Sequence, residues 1–418
     1  MKKLCSTYTK KEFSWILQDW ANSAYSLMIT TALFPIFYKS IATNAGVSDA
    51  NSTAYLGYTN AIGTIAVAMM APFLGTLADF PGYRKKLFTT ATLLGVFSVL
   101  SMILIGQVSW QWLLVLYGFS AVGFSTANIF YDASLMDVTS RDRLDLVSSA
   151  GFGFGYIGSV IPFLIFMLLQ FSGGLKEGVV VNIGFLLTAV WWFVFTIPYW
   201  KNVDQVYMDQ PKQPHIIAST LASLKETLTE LTKDKVIVYF LIGYFFYIDG
   251  VGTIIKMATS IGSDQGLTAT QLILMLLVVQ IVAFPCSIIY GILAKRWGRR
   301  TMLFTGIGTY ILICLMALSL SSFVDFMIIA ILVGSAQGGI QSLSRSYFGS
   351  IIPLEKNNQL FGIYNIFGKF SSVLGTTILG IITQLTGDSL KGLFVIVIQF
   401  MMGAFLLWKA KKPITKAV

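Results

Sequence analysis

The sequence predicts an all-α membrane protein of twelve transmembrane helices, built as two related six-helix halves. Three observations carry this. Of 418 residues, 55% are apolar and 11% charged, where a soluble domain carries about 25% charge. The apolar residues form runs long enough to span the hydrocarbon, which takes about 20 helical residues. The basic residues gather in alternate gaps between those runs.

The predicted spans in the first half are 20–40, 54–77, 87–106, 111–131, 147–170 and 179–199. In the second half they are 235–257, 269–293, 301–321, 324–344, 358–383 and 390–409. The domain division is therefore 1–200, a central loop 201–234, and 235–418. Within the loop, Leu221, Leu224, Leu228 and Leu231 recur at helical spacing, which suits a short helix at the membrane surface. The Met1-Lys2-Lys3 start does not predict a cleaved signal peptide, because the apolar run comes late and leads into further spans.

Orientation follows from charge. With both termini cytoplasmic, all but five of the 29 basic residues fall on the cytoplasmic side. Lys39, Lys176 and Lys391 lie opposite, and Lys256 and Lys369 lie inside spans. The net charge of +10 is thus topological, and no basic module for nucleic acid is visible. The expected partners are the lipid bilayer, a small-molecule solute and protons, with the chain a monomer. Cys5, Cys286 and Cys314 form no framework, and the one histidine, His215, lies in the central loop. Neither a metal site nor a triad needing histidine is expected. No phosphate loop is present, so no nucleotide or other cofactor is expected.

A turn motif occurs twice. Gly75, Asp79, Gly82 and Arg84 lie between spans two and three; Gly291, Gly298, Arg299 and Arg300 lie between spans eight and nine. Two copies at matching positions imply a duplicated six-span unit with a gating role for the turn. A mixed-charge loop after span four, with Asp137 and Arg141, reads as a cytoplasmic latch. Its counterpart after span ten is placed at Arg345.

The repeated turn, the twelve spans and the central loop resemble the major facilitator superfamily. The first copy has Phe80 where Arg is usual, and the second has Lys295 where Asp is expected. Longer stretches resemble its vacuole effluxer family from yeast autophagy and the bacterial relatives. These are Trp15 with Asp19 to Tyr25, Asn128 to Ala133, the glycine-rich 151–158, and Gln341 to Ser346 continuing through Pro353 to Phe361–Phe370. Gln18 departs from the Tyr that many relatives carry there. The resemblance implies a transporter rather than an enzyme. It also implies export of neutral amino acids, and a bacterial cell membrane as the location.

Charged and polar groups inside spans are the candidates for solute contact or coupling, because they are costly in lipid. Asp249 and Lys369 are the strongest, as a pair or as structural groups. Asp19, Asn22, Ser26 and Thr30 form a polar stripe on span one, with Tyr25 beside it and Asp19 also suited to cap the helix start. Asn128 and Asp132 share a face of span four. If protons drive transport, Asp19, Asp132 or Asp249 must carry them. Glycine at alternate positions in 151–158 reads as close helix packing. Efflux of hydrophobic organic compounds and a non-transporting receptor or scaffold are the competing readings.

Overall fold

A computed structural model describes residues 7–105, 109–208, 216–264, 266–318, 322–386 and 389–410. Among these, twelve helices are long and apolar enough to cross a membrane. Cys5, His215 and the lysines beyond 410 lie outside the described residues.

The first span begins well before the expected position 20. Helix α1 is Lys10–Tyr25, opened by a capping box in which Glu12 N–H donates to Thr9 Oγ1 and Thr9 N–H donates to Glu12 Oε2. Asp19 therefore does not cap the helix; it lies within α1 and is buried. A π-helical segment, Ser26–Ala32, follows, and the chain resumes as α2, Leu33–Asn44. Thr31 Oγ1 donates to the carbonyl of Ser26 at 3.0 Å, five residues back. The wider π turn re-aims the stripe of span one halfway along it, a feature frequent at functional sites.

The remaining helices of the first half are α3 (Asp49–Asp79), α4 (Arg84–Ile105), α5 (Trp110–Ala133), the short α6 (Leu135–Val138), α7 (Leu144–Phe171) and α8 (Glu177–Asn202). The central segment contains α9, Ile216–Lys233, with the apolar periodicity of a surface helix. The second half has α10 (Lys235–Asp264), α11 (Ala269–Trp297), α12 (Arg299–Ala317), α13 (Phe323–Ile351), α14 (Asn357–Thr386) and α15 (Leu393–Lys409). Helices α11 and α13 open with capping boxes, Thr268 with Gln271 and Ser322 with Asp325. Gly298, at φ +87°, turns the chain from α11 into α12, a backbone conformation that side chains with a Cβ rarely adopt.

The chain forms two compact units. The first is Met1–Ser140, Phe154–Ile216 and Leu354–Gly362. In it α4 packs on α5 and α1 on α8. Part of α7 lies close against α1: a Cβ at Gly155 would sit 2.6 Å from Ser23 Oγ. One residue type thus sets how near two backbones come. Trp20 of α1 stacks on Trp191 of α8 at 5.8 Å. The second unit is Arg141–Gly153, Ile217–Pro353 and Ile363–Val418. There α11 packs on α13 and α10 on α15. Both units present large apolar side chains outward, Met69 and Leu104 in the first and Met401 and Trp408 in the second. Such a surface fits hydrocarbon rather than water.

Candidate functional site

In the first unit, the polar stripe of span one is built from α1 and the π segment. Asn22 Nδ2 donates to Asn128 Oδ1 of α5 at 2.6 Å. One turn on, the hydroxyls of Tyr25 and Ser120 lie 2.8 Å apart. Phe124 stacks on the Tyr25 ring at 4.6 Å, and Trp192 packs against both, 5.2 Å from Tyr25 and 5.9 Å from Phe124. Past this floor, Ser26, Thr30 and Thr31 are exposed. Exposed hydroxyls in mid-span favour a watered face over lipid. Asp132, one turn beyond Asn128, is half-buried. Trp15 donates its indole N–H to the carbonyl of Tyr131 at 3.0 Å and stacks on that ring at 4.5 Å, fixing α1 to the end of α5.

The first turn motif is engaged through Asp79. Its Oδ1 accepts the backbone N–H of Asn358 at 2.9 Å and the Asn358 side-chain amide at 2.7 Å. Its Oδ2 accepts the N–H of Gln359 at 3.0 Å. The carboxylate thus sits on the first turn of α14, where free amides and the helix dipole favour an anion. Gly75 permits the approach, because a Cβ there would lie 2.6 Å from the Asn358 carbonyl oxygen. Arg84 pairs with Asp137, both buried, and Asp137 Oδ1 also accepts the N–H groups of Val206 at 2.6 Å and Tyr207 at 2.9 Å. Arg141 is exposed.

The second turn motif, in the second unit, reverses this chemistry. With Lys295 in place of the acid, Asp145 supplies the carboxylate from the start of α7. It accepts Arg299 Nε at 3.1 Å and Ser346 Oγ at 2.5 Å. Gly291 again allows close approach: a Cβ there would be 2.8 Å from the Asp145 carbonyl oxygen. Arg300 donates to the carbonyls of Leu407 and Trp408 at the end of α15. Arg345 is not in a loop after span ten. Helix α13 runs on to Ile351, so Arg345 is a buried helical residue. It bonds Ser148 through Nε to Oγ at 3.0 Å and Nη2 to the carbonyl at 3.0 Å, with its guanidinium 4.5 Å over Phe152. The pairing lets a charged residue continue a helix that a hydropathy window ends.

Asp249, on α10, is fully buried. Its Oδ1 accepts the N–H of Gly375 in α14 at 2.9 Å. Lys369 lies six residues before Gly375, about 9 Å along the helix axis. Its neighbour Gly368 packs on Tyr244, five residues before Asp249. Asp249 Oδ1 is thus held by a backbone amide. Ser148, Thr253, Gly375 and Gln399 escaped the sequence reading. A lone Thr or Gln in a span is common, and only the offset of four from Asp249 to Thr253 marked a shared face.

The family model for "Vacuole effluxer Atg22 like" matches residues 8–413. The chain belongs to that family. An "Uncharacterized MFS-type transporter YxiO" of Bacillus subtilis is 48% identical over 96% of this chain and 94% of its own length. "Autophagy-related protein 22" of Vanderwaltozyma polyspora is 26% identical over 64% of this chain and 59% of its own length. Among solved structures, the major facilitator transporter FucP, in an outward conformation, superposes with a TM-score of 0.75 at 11% identity, covering 96% of this chain and 99% of that one. This Atg22-like chain is thus an integral multi-pass membrane protein with the major facilitator fold, a transporter and not an enzyme. It performs secondary active transport of a small solute by alternating access.

Proposed function

We propose that this chain moves a neutral, zwitterionic amino acid outward across a bacterial cell membrane, with both termini cytoplasmic. The Asn22–Asn128 pair carries the reading. The bond between them uses one donor and one acceptor. Asn22 Oδ1 is left to accept from an ammonium, and Asn128 Nδ2 to donate to a carboxylate. The pair thus offers both complements of an amino acid without a fixed charge. The half-buried Phe124 ring, backed by the buried Tyr25, gives the adjoining wall an apolar surface for a side chain. The effluxer description of the family supports export, and the basic residues on alternate loops support the orientation. Energy comes from a cation gradient through an in-span carboxylate. Of Asp19, Asp132 and Asp249, Asp249 is the most deeply buried, and among the described residues its Oδ2 meets no partner at full hydrogen-bond geometry.

The test is uptake of radiolabelled neutral amino acids into proteoliposomes, with and without imposed ion gradients. Saturable uptake, with KM raised by Asn22→Ala and by Asn128→Ala, is expected. No movement of any amino acid by protein that remains folded would overturn the substrate class.

A further inference from the structure

Among the described residues, four polar atoms on α10 and α15 meet no partner at full hydrogen-bond geometry although their side chains are buried. They are Asp249 Oδ2, Thr253 Oγ1, and both Oε1 and Nε2 of Gln399. Asp249 and Thr253 are 0% exposed and Gln399 is 4% exposed. They converge. Thr253 is one turn from Asp249 on the same face. Gly375 of α14 faces both: a Cβ there would meet Thr253 Oγ1 and lie 2.8 Å from Asp249 Oδ2. Gln399 neighbours the Asp249 carboxylate and acts on it as a weak side-chain hydrogen-bond donor, which leaves its amide oxygen free to face the same space. Such a set is costly to bury empty, since each atom has given up water without a replacement.

We infer that Asp249, Thr253 and Gln399 form a sodium-ion site within the second unit. A carboxylate oxygen, a hydroxyl oxygen and an amide oxygen are hard ligands suited to a hard cation. One carboxylate is neutralised by one positive charge, which selects a monovalent ion over a divalent one. Asp249 Oδ1 is already committed to the Gly375 amide, which aims Oδ2 at the ion. Lys256, two turns further along α10, is a charged group in electrostatic reach of Asp249. The site's role in driving transport rests on the carrier reading above; its existence does not.

Thermal unfolding of the purified full-length protein tests this, with NaCl, KCl or choline chloride at equal ionic strength and no solute. A bound ion stabilises the fold by RT ln(1 + [ion]/Kd), so the melting temperature climbs with the logarithm of the ion concentration above Kd. Sodium alone is expected to give such a rise. Thr253→Val and Gln399→Leu should each raise the fitted sodium Kd about tenfold, and Asp249→Asn should abolish the response. If Asp249→Asn does not fold, the other two variants decide. Equal shifts with all three salts would overturn the site, as would a sodium shift of wild-type size in all variants. A pH-dependent shift through Asp249 in sodium-free buffer, with no sodium response, would overturn it in favour of a proton. Because no amino acid is present, loss of this site and loss of the proposed substrate class are read separately.

Discussion

The carboxylate of Asp79 lies 2.9 Å from the backbone nitrogen of Asn358, joining the end of α3 to the first turn of α14. Its second oxygen takes the amide of Gln359 at 3.0 Å. An anion here meets two free amides and the positive end of the helix dipole. Asp79→Asn keeps an acceptor but loses the charge. A charge-assisted bond of this kind contributes about 1.5–3 kcal/mol. The expected result is a lower melting temperature in the full chain and an altered transport rate. A variant with wild-type melting and rate would show that the contact contributes nothing.

That contact was legible because the turn motif marks Asp79. The twelve spans were legible because a hydrocarbon crossing demands an unmistakable length of apolar sequence. The start of the first span was not. Lys10, Lys11, Glu12 and Asp19 look too polar for a span, yet Thr9 and Glu12 cap a helix there and Asp19 is buried inside it. Arg345 was displaced to a loop for the same reason: charge reads as a boundary until a partner such as Ser148 is known. The second turn shows the deeper limit. Lys295 says that the acid is missing, but only the fold shows Asp145 supplying it from about 150 residues away in sequence. One partner of Asp249 is a backbone amide, for which no residue pattern exists.

Arg84 and Asp137 make a buried ion pair, with side chains 4% and 0% exposed. Arg84→Met leaves the Asp137 carboxylate buried with only the Val206 and Tyr207 amides. Removing one partner of a buried pair costs about 3–5 kcal/mol. The single variant should melt well below wild type. Arg84→Met with Asp137→Leu should recover part of the loss, because no unpaired charge remains. Equal melting of the single and double variants would place the cost in packing instead.

The proposed solute-binding role of Asn22 and Asn128 is separable by measurement from their mutual bond. Buried neighbours that share a hydrogen bond couple by about 0.5–3 kcal/mol. A double-mutant cycle with Asn22→Ala and Asn128→Ala is expected to be non-additive in melting temperature. In KM for a transported amino acid, each single variant should already lose most of the affinity, since the remaining amide is no longer held in place. Additive effects on both measures would mean that the pair does not act as a unit.

Arg345 fills three roles with one side chain: Nε bonds the Ser148 hydroxyl, Nη2 bonds the Ser148 carbonyl, and the guanidinium plane covers Phe152. A lysine keeps the charge, but its ammonium is a single point that cannot fork across hydroxyl and carbonyl while presenting a flat face to a ring. Arg345→Lys is therefore expected to lose about 1–2 kcal/mol of stability through one neutral-acceptor bond and the stacked contact. Ser148→Ala removes the hydroxyl and keeps the carbonyl, so it should cost less than Arg345→Lys. The reverse order in thermal unfolding of the two variants would show that charge alone, and not the fork, secures α13 against the start of α7.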